Sequence, residues 1–222
     1  MWKLRLRRRL YAGRVAGTAL QNCWRAPLPS TSSDWRQVSF LVVDAEMSSL
    51  DVAEGELLSV GWVEVRDGAI ALSSARHYLV KAEKSVGQSA TIHHLRDCEL
   101  TGAASGGEIL RRFLEAAAGK VLVFHNASLD MAFLNRVSRD EFNAPILMPC
   151  ADTLQQEQAL LQRRETPIKS GDLRLQACRD RYNLPSYPAH HALIDALATA
   201  ELLDAHASHR AGGKGFTLAR LL

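Results

Sequence analysis

The sequence has few of the features that define secreted, membrane-spanning or disordered proteins. Its four cysteines lie far apart and form no Cys-x-x-Cys pair, which argues against a disulfide framework or a zinc knuckle and fits a reducing compartment. No apolar run approaches the roughly 18 residues that a membrane-spanning helix needs. Hydrophobic residues make up 47% and charged residues 23% of the 222 positions, which are globular values. The sequence therefore predicts a soluble, cytoplasmic protein with no membrane span.

Acidic residues are missing from the first 33 positions, which hold seven of the 27 Lys and Arg residues. The rest of the chain has 20 basic and 24 acidic residues, a net charge of −4. Such a basic arm fits contact with nucleic acid or another acidic surface, an organelle presequence, or a helix packed on the body. The packed helix is slightly favoured. The residues expected to pack are Trp2, Leu6, Leu10 and Leu20.

Proline and serine mark a linker after this arm, at 27–33. The predicted division is a basic arm and linker at 1–37, a main domain at 38–207 and a short tail at 208–222.

Apolar patterning predicts a mixed sheet in the main domain. Segments 38–43, 57–65 and one ending at 77–80 predict an antiparallel meander, with a tight turn at Asp67-Gly68. After the meander, segments with helical spacing alternate with short apolar strand segments. This alternation favours helices packed on one five-stranded sheet. The later strands are predicted at 121–124 and 146–148, and the helices at 109–117, 127–137, 153–161, 173–182 and 192–207, with Gly119 closing the first and Asp152 capping the third.

Four carboxylates lie at positions that suggest a functional role. Asp44 and Glu46 end the first strand two residues apart, so their side chains share a face and repel each other unless a cation neutralises them. Charges that simply meet solvent at a strand end are the alternative. Asp130 lies in the first turn of a helix, where an acid is favourable on its own. Asp195 lies in an apolar helix, where a carboxylate is costly unless it is paired or metal-bound.

Three short motifs contain these acids: Asp-x-Glu at 44–46, His-Asn-Ala-x-x-Asp at 125–130 and His-x-Ala-Leu-x-Asp at 190–195. In this order they resemble the motifs of the DnaQ-like, DEDDh-type 3′–5′ exonucleases, which include the proofreading subunit of bacterial DNA polymerase. The resemblance covers roughly residues 40–205. It implies an α/β, ribonuclease-H-like fold: a five-stranded mixed sheet, its first three strands antiparallel, flanked by helices.

The resemblance also implies roles for individual residues. Asp44, Glu46, Asp130 and Asp195 would hold two divalent cations, Mg²⁺ or Mn²⁺, and His190 would be the general base. Helix geometry by itself pairs Asp195 with His191 instead, because these two are four residues apart.

Contacts to the terminal nucleotide are implied for a further set. This set comprises Met47, Ser48, Leu50, His93, Asn126 and Phe133. Core packing is the alternative for Leu50 and Phe133, and a surface position for His93. Met47-Ser48-Ser49 replaces the family's usual Thr-Thr-Gly, which bears on substrate preference rather than on the metal ligands.

The expected function is hydrolysis of phosphodiester bonds at the 3′ ends of single-stranded or frayed nucleic acid, with DNA favoured. An exoribonuclease or oligoribonuclease is the alternative, and a non-catalytic nucleic-acid-binding module is a third possibility. About 17 residues follow the last motif helix, fewer than a separate polymerase-binding domain needs. A polymerase or other protein partner remains unspecified.

Overall fold

Five strands form one sheet in the computed structural model, which describes residues 2–82, 100–211 and 215–222. The strand order is β3-β2-β1-β4-β5. β1 pairs antiparallel with β2 and parallel with β4, and β4 pairs parallel with β5. The bounds are Phe40–Met47 for β1, Leu57–Arg66 for β2, Ala69–Leu79 for β3, Val121–Phe124 for β4 and Cys150–Asp152 for β5. This arrangement confirms the expected mixed sheet with three antiparallel strands.

Seven α-helices surround the sheet in the described ranges. In chain order they are α1 Trp2–Tyr11, α2 Ala19–Arg25, α3 Gly106–Ala117, α4 Ala127–Phe142, α5 Thr153–Arg163, α6 Leu175–Asp180 and α7 Ala192–Ala211. Short 3-10 helices lie at Trp35–Gln37 and Leu218–Arg220. The predicted helix positions are confirmed, although α4 and α7 run further than expected and α6 is shorter.

The turn between β2 and β3 has the predicted chemistry. Asp67 and Gly68 both have positive φ, +53° and +70°, the conformation that a tight hairpin turn requires.

The fifth strand is the one wrong strand prediction. Residues 146–148 are buried but not in the sheet; the strand begins after Pro149, at Cys150. Side chains hold the backbone of the upstream run instead. Asn135 accepts a hydrogen bond from the Ile146 N–H at 2.7 Å, and Arg8 donates to the Leu147 carbonyl at 2.8 Å. An apolar run alone does not distinguish a strand from a buried irregular segment.

Two apolar cores lie on opposite faces of the sheet because side chains alternate along β1. Leu41 and Val43 pack in the cluster that contains Phe113 of α3. Phe40 and Val42 pack in the cluster that contains Leu203 of α7.

The basic arm packs on the body mainly through α2; α1 has no fully buried residue, although its last residue, Tyr11, packs against the first core. Leu20 is fully buried in the first core, as expected. The same expectation is wrong for Trp2, Leu6 and Leu10, whose exposed fractions are 69%, 53% and 74%. These three lie on one stripe of α1, because they are four residues apart, and this stripe is exposed.

Arg8 fixes the position of α1. Its guanidinium donates to the carbonyls of Trp24 and Leu147, and Leu147 lies just before β5. The arm therefore sits at the edge where the parallel strands begin. Among the described residues, no helix is both long and apolar enough to span a membrane.

Candidate active site

Three carboxylates meet where β1 ends and α7 begins. Oxygens of Asp44, Glu46 and Asp195 all lie within 4.8 Å of one another. Asp44 and Glu46 share the face of β1 that packs against α7, as the alternation of β1 predicts. Asp195 reaches them from the first turn of α7.

Gly61 makes this close approach possible. It pairs with Asp44 across the β1–β2 ladder. A Cβ on Gly61 would lie 2.3 Å from the Leu193 nitrogen and 2.4 Å from the Ala192 carbonyl carbon. The start of α7 therefore rests directly on the backbone of β2, which brings Asp195 within reach of Asp44.

Asp130 joins the group from the first turn of α4. Its carboxylate accepts a hydrogen bond at 3.0 Å from the N–H of Ala45, the residue between Asp44 and Glu46. Burial raises the pKa of Asp130 to about 8, against the opposing effect of its backbone hydrogen bonds. The carboxyl is only 5% exposed, so water does little to stabilise its charge.

The electrostatics of the group favour a cation. Burial, and then the charges of Asp130, Glu46 and Asp195, hold the pKa of Asp44 well above its usual range. Burial also raises the pKa of Asp195, although the His190 N–H donates a hydrogen bond to its carboxylate at 2.8 Å. These raised pKa values show that the carboxylates repel one another when they are charged. Their oxygens are the ligands that Mg²⁺ and Mn²⁺ prefer, and such a cation would neutralise the repulsion. The residues therefore fit the metal-binding role.

His190 and His191 occupy different surroundings. His190 precedes α7 in a loop, with a φ of +68°, and lines the cavity beside the acids. The ring of His191 instead stacks on His77 with centroids 4.4 Å apart, and its Nδ1 accepts a hydrogen bond from Ile194. The loop conformation is what separates the two histidines, since a regular helix would place His191 over Asp195.

A cavity of about 390 Å³ opens at the acids. Four of the implied substrate contacts line it, namely Met47, Ser48, Leu50 and Asn126. Leu50 is 78% exposed, which leaves its side chain open to a bound molecule. The Ser48 hydroxyl accepts a hydrogen bond from the Glu56 N–H at 2.8 Å and so helps to fix the loop after β1.

Phe133 does not line this cavity. Its ring is 1% exposed and packs in the core. Its edge approaches Gly55, where an added Cβ would lie 3.1 Å away. His93 lies outside the described residues.

Sequence reasoning missed how much Asp152 supports the site. Its predicted cap on α5 is confirmed, since it accepts from the Leu154 N–H at 3.0 Å. Its carboxylate also accepts from the backbone N–H groups of Asn126 and Ala127, at 3.1 and 3.0 Å. One side chain therefore joins the starts of α4 and α5, and it holds Asn126 at a φ of +79°. The Asp at the end of β5 was visible in the sequence, but its second set of partners was not.

His125 is the first residue of the second motif, and it also lines the cavity. Its Nδ1 lies 2.9 Å from the Thr153 hydroxyl and its Nε2 lies 2.8 Å from the Leu173 carbonyl. Because a carbonyl only accepts, Nε2 carries a proton. Burial lowers the pKa of His125. The ring ties the end of β4 to the loop before α6.

Comparison with known proteins assigns the chain to a family. The exonuclease family RNase_T matches residues 41–203, and the chain belongs to this family. A PolC-type DNA polymerase III of Thermotoga petrophila is 28% identical over 174 residues, which are 78% of this chain and 12% of that protein. The DNA polymerase III subunit epsilon of Treponema pallidum is 28% identical over 189 residues, which are 82% of this chain and 85% of that protein.

A solved structure shares the fold. Exonuclease X in complex with 5′ overhanging duplex DNA gives a TM-score of 0.59 at 21% identity, and the match covers 82% of this chain and 96% of that one. The DnaQ-like resemblance and the ribonuclease-H-like sheet are thus confirmed. The matched family is one of exonucleases. The chain spans about an eighth of the length of the PolC-type relative from Thermotoga petrophila.

Proposed function

We propose that this chain is a metal-dependent 3′–5′ exonuclease that removes nucleoside monophosphates from single-stranded or frayed ends, with DNA favoured. The observation that carries the proposal is one open cavity lined by His190 and three of the acids, Asp44, Glu46 and Asp130. The fourth acid, Asp195, has an oxygen within 4.8 Å of oxygens of Asp44 and Glu46. The names of the polymerase III relatives support DNA as the substrate.

In this proposal Asp44, Glu46, Asp130 and Asp195 hold two divalent cations, Mg²⁺ or Mn²⁺. Such ions activate water and stabilise the departing oxygen of a phosphodiester. The carboxylates contribute by their fixed positions: Asp44 and Glu46 lie on a central strand, and α7 rests on that sheet at Gly61. Rigid ligands hold the reacting groups in register.

His190 takes the proton from the attacking water. An imidazole exchanges protons near neutral pH. Its position follows from its own backbone, because its N–H donates to the carboxylate of Asp195. The base and one metal ligand are therefore held together by a single hydrogen bond.

The cavity wall positions the terminal nucleotide. Leu50 packs against the terminal base, whereas Met47, Ser48 and Asn126 lie along the sugar. Phe133 acts from the core, by supporting the loop that carries Leu50 through its contact near Gly55. A polymerase remains the proposed protein partner, on the names of the relatives.

The experiment follows 5′-labelled DNA and RNA strands of the same sequence in Mg²⁺ and Mn²⁺. We expect stepwise shortening from the 3′ end, nearly abolished by Asp44→Asn. His190→Ala should lower kcat by roughly 10²–10⁴-fold, and the matched control His191→Ala much less. Degradation of RNA alone would favour the ribonuclease alternative. Binding without hydrolysis in either metal would contradict the proposal and favour a non-catalytic module.

A further inference from the structure

Three arginines from separate elements converge on a cleft of about 360 Å³ beside β5. Arg163 ends α5, Arg210 lies in the last turn of α7, and Arg220 lies in the 3-10 helix near the C-terminus. None of these residues belongs to the three motifs.

Phe216 brings two of the cations side by side. The guanidinium carbons of Arg210 and Arg220 lie 5.1 and 5.3 Å from the centroid of its buried ring. Cation–π contact stabilises such an arrangement but leaves the outward N–H groups available.

The three cations outnumber the one acidic side chain that lines the cleft, Asp152, whose carboxylate accepts hydrogen bonds from backbone N–H groups. Within the described part of the chain, no carboxylate forms a salt bridge with any of the three guanidinium groups. Arg210 donates only to the neutral side-chain oxygen of Gln156, and Arg163 to the carbonyl of Ala159. Burial, and then the charges of Arg163 and Arg220, lower the pKa of Arg210. Three mutually repelling cations at one cleft would be stabilised by an anion.

Shared lining residues link the arginine cleft to the active-site cavity. A cleft of about 420 Å³ lies between them. It shares Asn126 with the active-site cavity, and it shares Asp152, Gln155 and Ala159 with the arginine cleft. Asp152 is its one acidic lining residue, and this carboxylate already accepts hydrogen bonds from backbone N–H groups. The neutral side chains of Gln158 and Gln162 also line it, and they can donate hydrogen bonds to a phosphate without repelling it.

We propose that Arg163, Arg210 and Arg220 bind backbone phosphates of the strand whose 3′ end lies at the acids. The proposal rests on the proposed function. A nucleic-acid strand carries a phosphate at every nucleotide, and carboxylates that hold no cation repel it. A second, cationic site along the same trough would therefore supply the attraction that the acids lack. The strand crosses the face formed by the starts of α4 and α5, past Asn126 and Gln155.

The basic arm is the natural control. Arg7 and Arg9 are two exposed cations on α1, and Arg8 holds that helix to the segment before β5, at the opposite edge of the sheet from the acids. If charge alone mattered, removal of two arm cations would weaken binding as much as removal of two cluster cations.

The first test measures binding of a single strand of about 12 nucleotides to the full chain in EDTA, over a range of salt concentrations. Each phosphate contact on a single strand contributes about 0.7 to the slope of log K against log salt. We expect Arg163→Gln/Arg220→Gln to lower the slope by about 1.4 and Arg7→Gln/Arg9→Gln to leave it near the wild-type value. An unchanged slope in the cluster variant, or an equal loss in both variants, would overturn the proposal.

The second test compares hydrolysis of that strand with hydrolysis of a dinucleotide, which is too short to reach the cluster. The ratio of their kcat/KM values should fall roughly tenfold in the cluster variant, through KM, and should keep its wild-type value in the arm variant. A ratio that stays constant in the cluster variant would overturn the proposal and leave the exonuclease activity standing. Absence of all hydrolysis would contradict the proposed function alone, because the salt slope is measured without turnover.

Discussion

Replacing Gly61 with alanine tests whether the contact between α7 and β2 sets the geometry of the acids. The added Cβ would lie 2.3 to 2.5 Å from three backbone atoms of Ala192 and Leu193. Backbone at a helix start cannot rotate away as a side chain does. The beginning of α7 must therefore move off the sheet.

The size of this movement follows from contact distances. Ordinary van der Waals contact begins at 3.4 Å, so α7 must retreat by about 1 Å. Asp195 lies one turn into α7 and shares a site with Asp44, the cross-strand partner of Gly61. A displacement of about 1 Å in a catalytic site costs about 10²-fold in rate. Overpacking costs about 1–3 kcal/mol, which lowers the Tm of a domain of this size by roughly 3–9 °C.

The assay compares kcat/KM on a labelled oligonucleotide with the Tm from circular dichroism. Gly13→Ala is the matched control, because nothing lies within 4 Å of a Cβ at Gly13. We expect about 10²-fold lower kcat/KM for Gly61→Ala and nearly wild-type values for Gly13→Ala. A Gly61→Ala protein that is folded and has wild-type activity would refute the proposed role of this contact.

Three further predictions follow from other contacts. Asp44→Asn should raise the Tm of the metal-free protein by roughly 2–4 °C, because it removes a buried charge that the other acids repel; a lower Tm in EDTA would contradict this. Burial alone would raise the pKa of Glu157, but hydrogen bonds from His206, Tyr182 and Arg181 hold it at about 2. The charged form therefore stabilises the fold above the unfolded pKa of about 4.3, and this stability is lost as the pH falls towards 2. Glu157→Gln should flatten that dependence in urea melts, and an unchanged acid limb would count against it. Glu201→Gln should lower the free energy of unfolding by about 3 kcal/mol, because it leaves the buried Arg179 without its carboxylate partner. Tyr187→Phe loses one hydrogen bond to Glu201 and should lower the free energy of unfolding by about 1 kcal/mol in the same melts.

Local periodicity was enough to predict most of the sheet and helices. Strand alternation placed Asp44 and Glu46 on one face of β1, and this followed from the chain alone because a strand repeats every two residues. The turn at Asp67-Gly68 was also predictable, since few residue pairs adopt two positive φ values in succession. Where a pattern had no period, at residues 146–148, the strand was misplaced by four residues.

Tertiary contacts give the two histidines different surroundings. In the sequence, helix spacing pairs His191 with Asp195, whereas the motif assigns the general base to His190. The structure separates them because His190 takes a left-handed conformation before the helix and turns to the cavity, whereas His191 stacks on His77 of β3. No local pattern contains β3, so no local pattern could predict this difference in surroundings.

The sequence by itself determined which acids occur and on which elements they lie. Only the folded chain brought Asp195 to Asp44, through a glycine on a third element, and only the folded chain gathered Arg163, Arg210 and Arg220 at one cleft. The physical reason is the range of the interactions. Propensity and alternation act between residues a few positions apart. Backbone contact at Gly61 instead joins β2 to α7, and the arginine cleft joins α5 to the C-terminal segment, so both depend on elements that are distant in the chain.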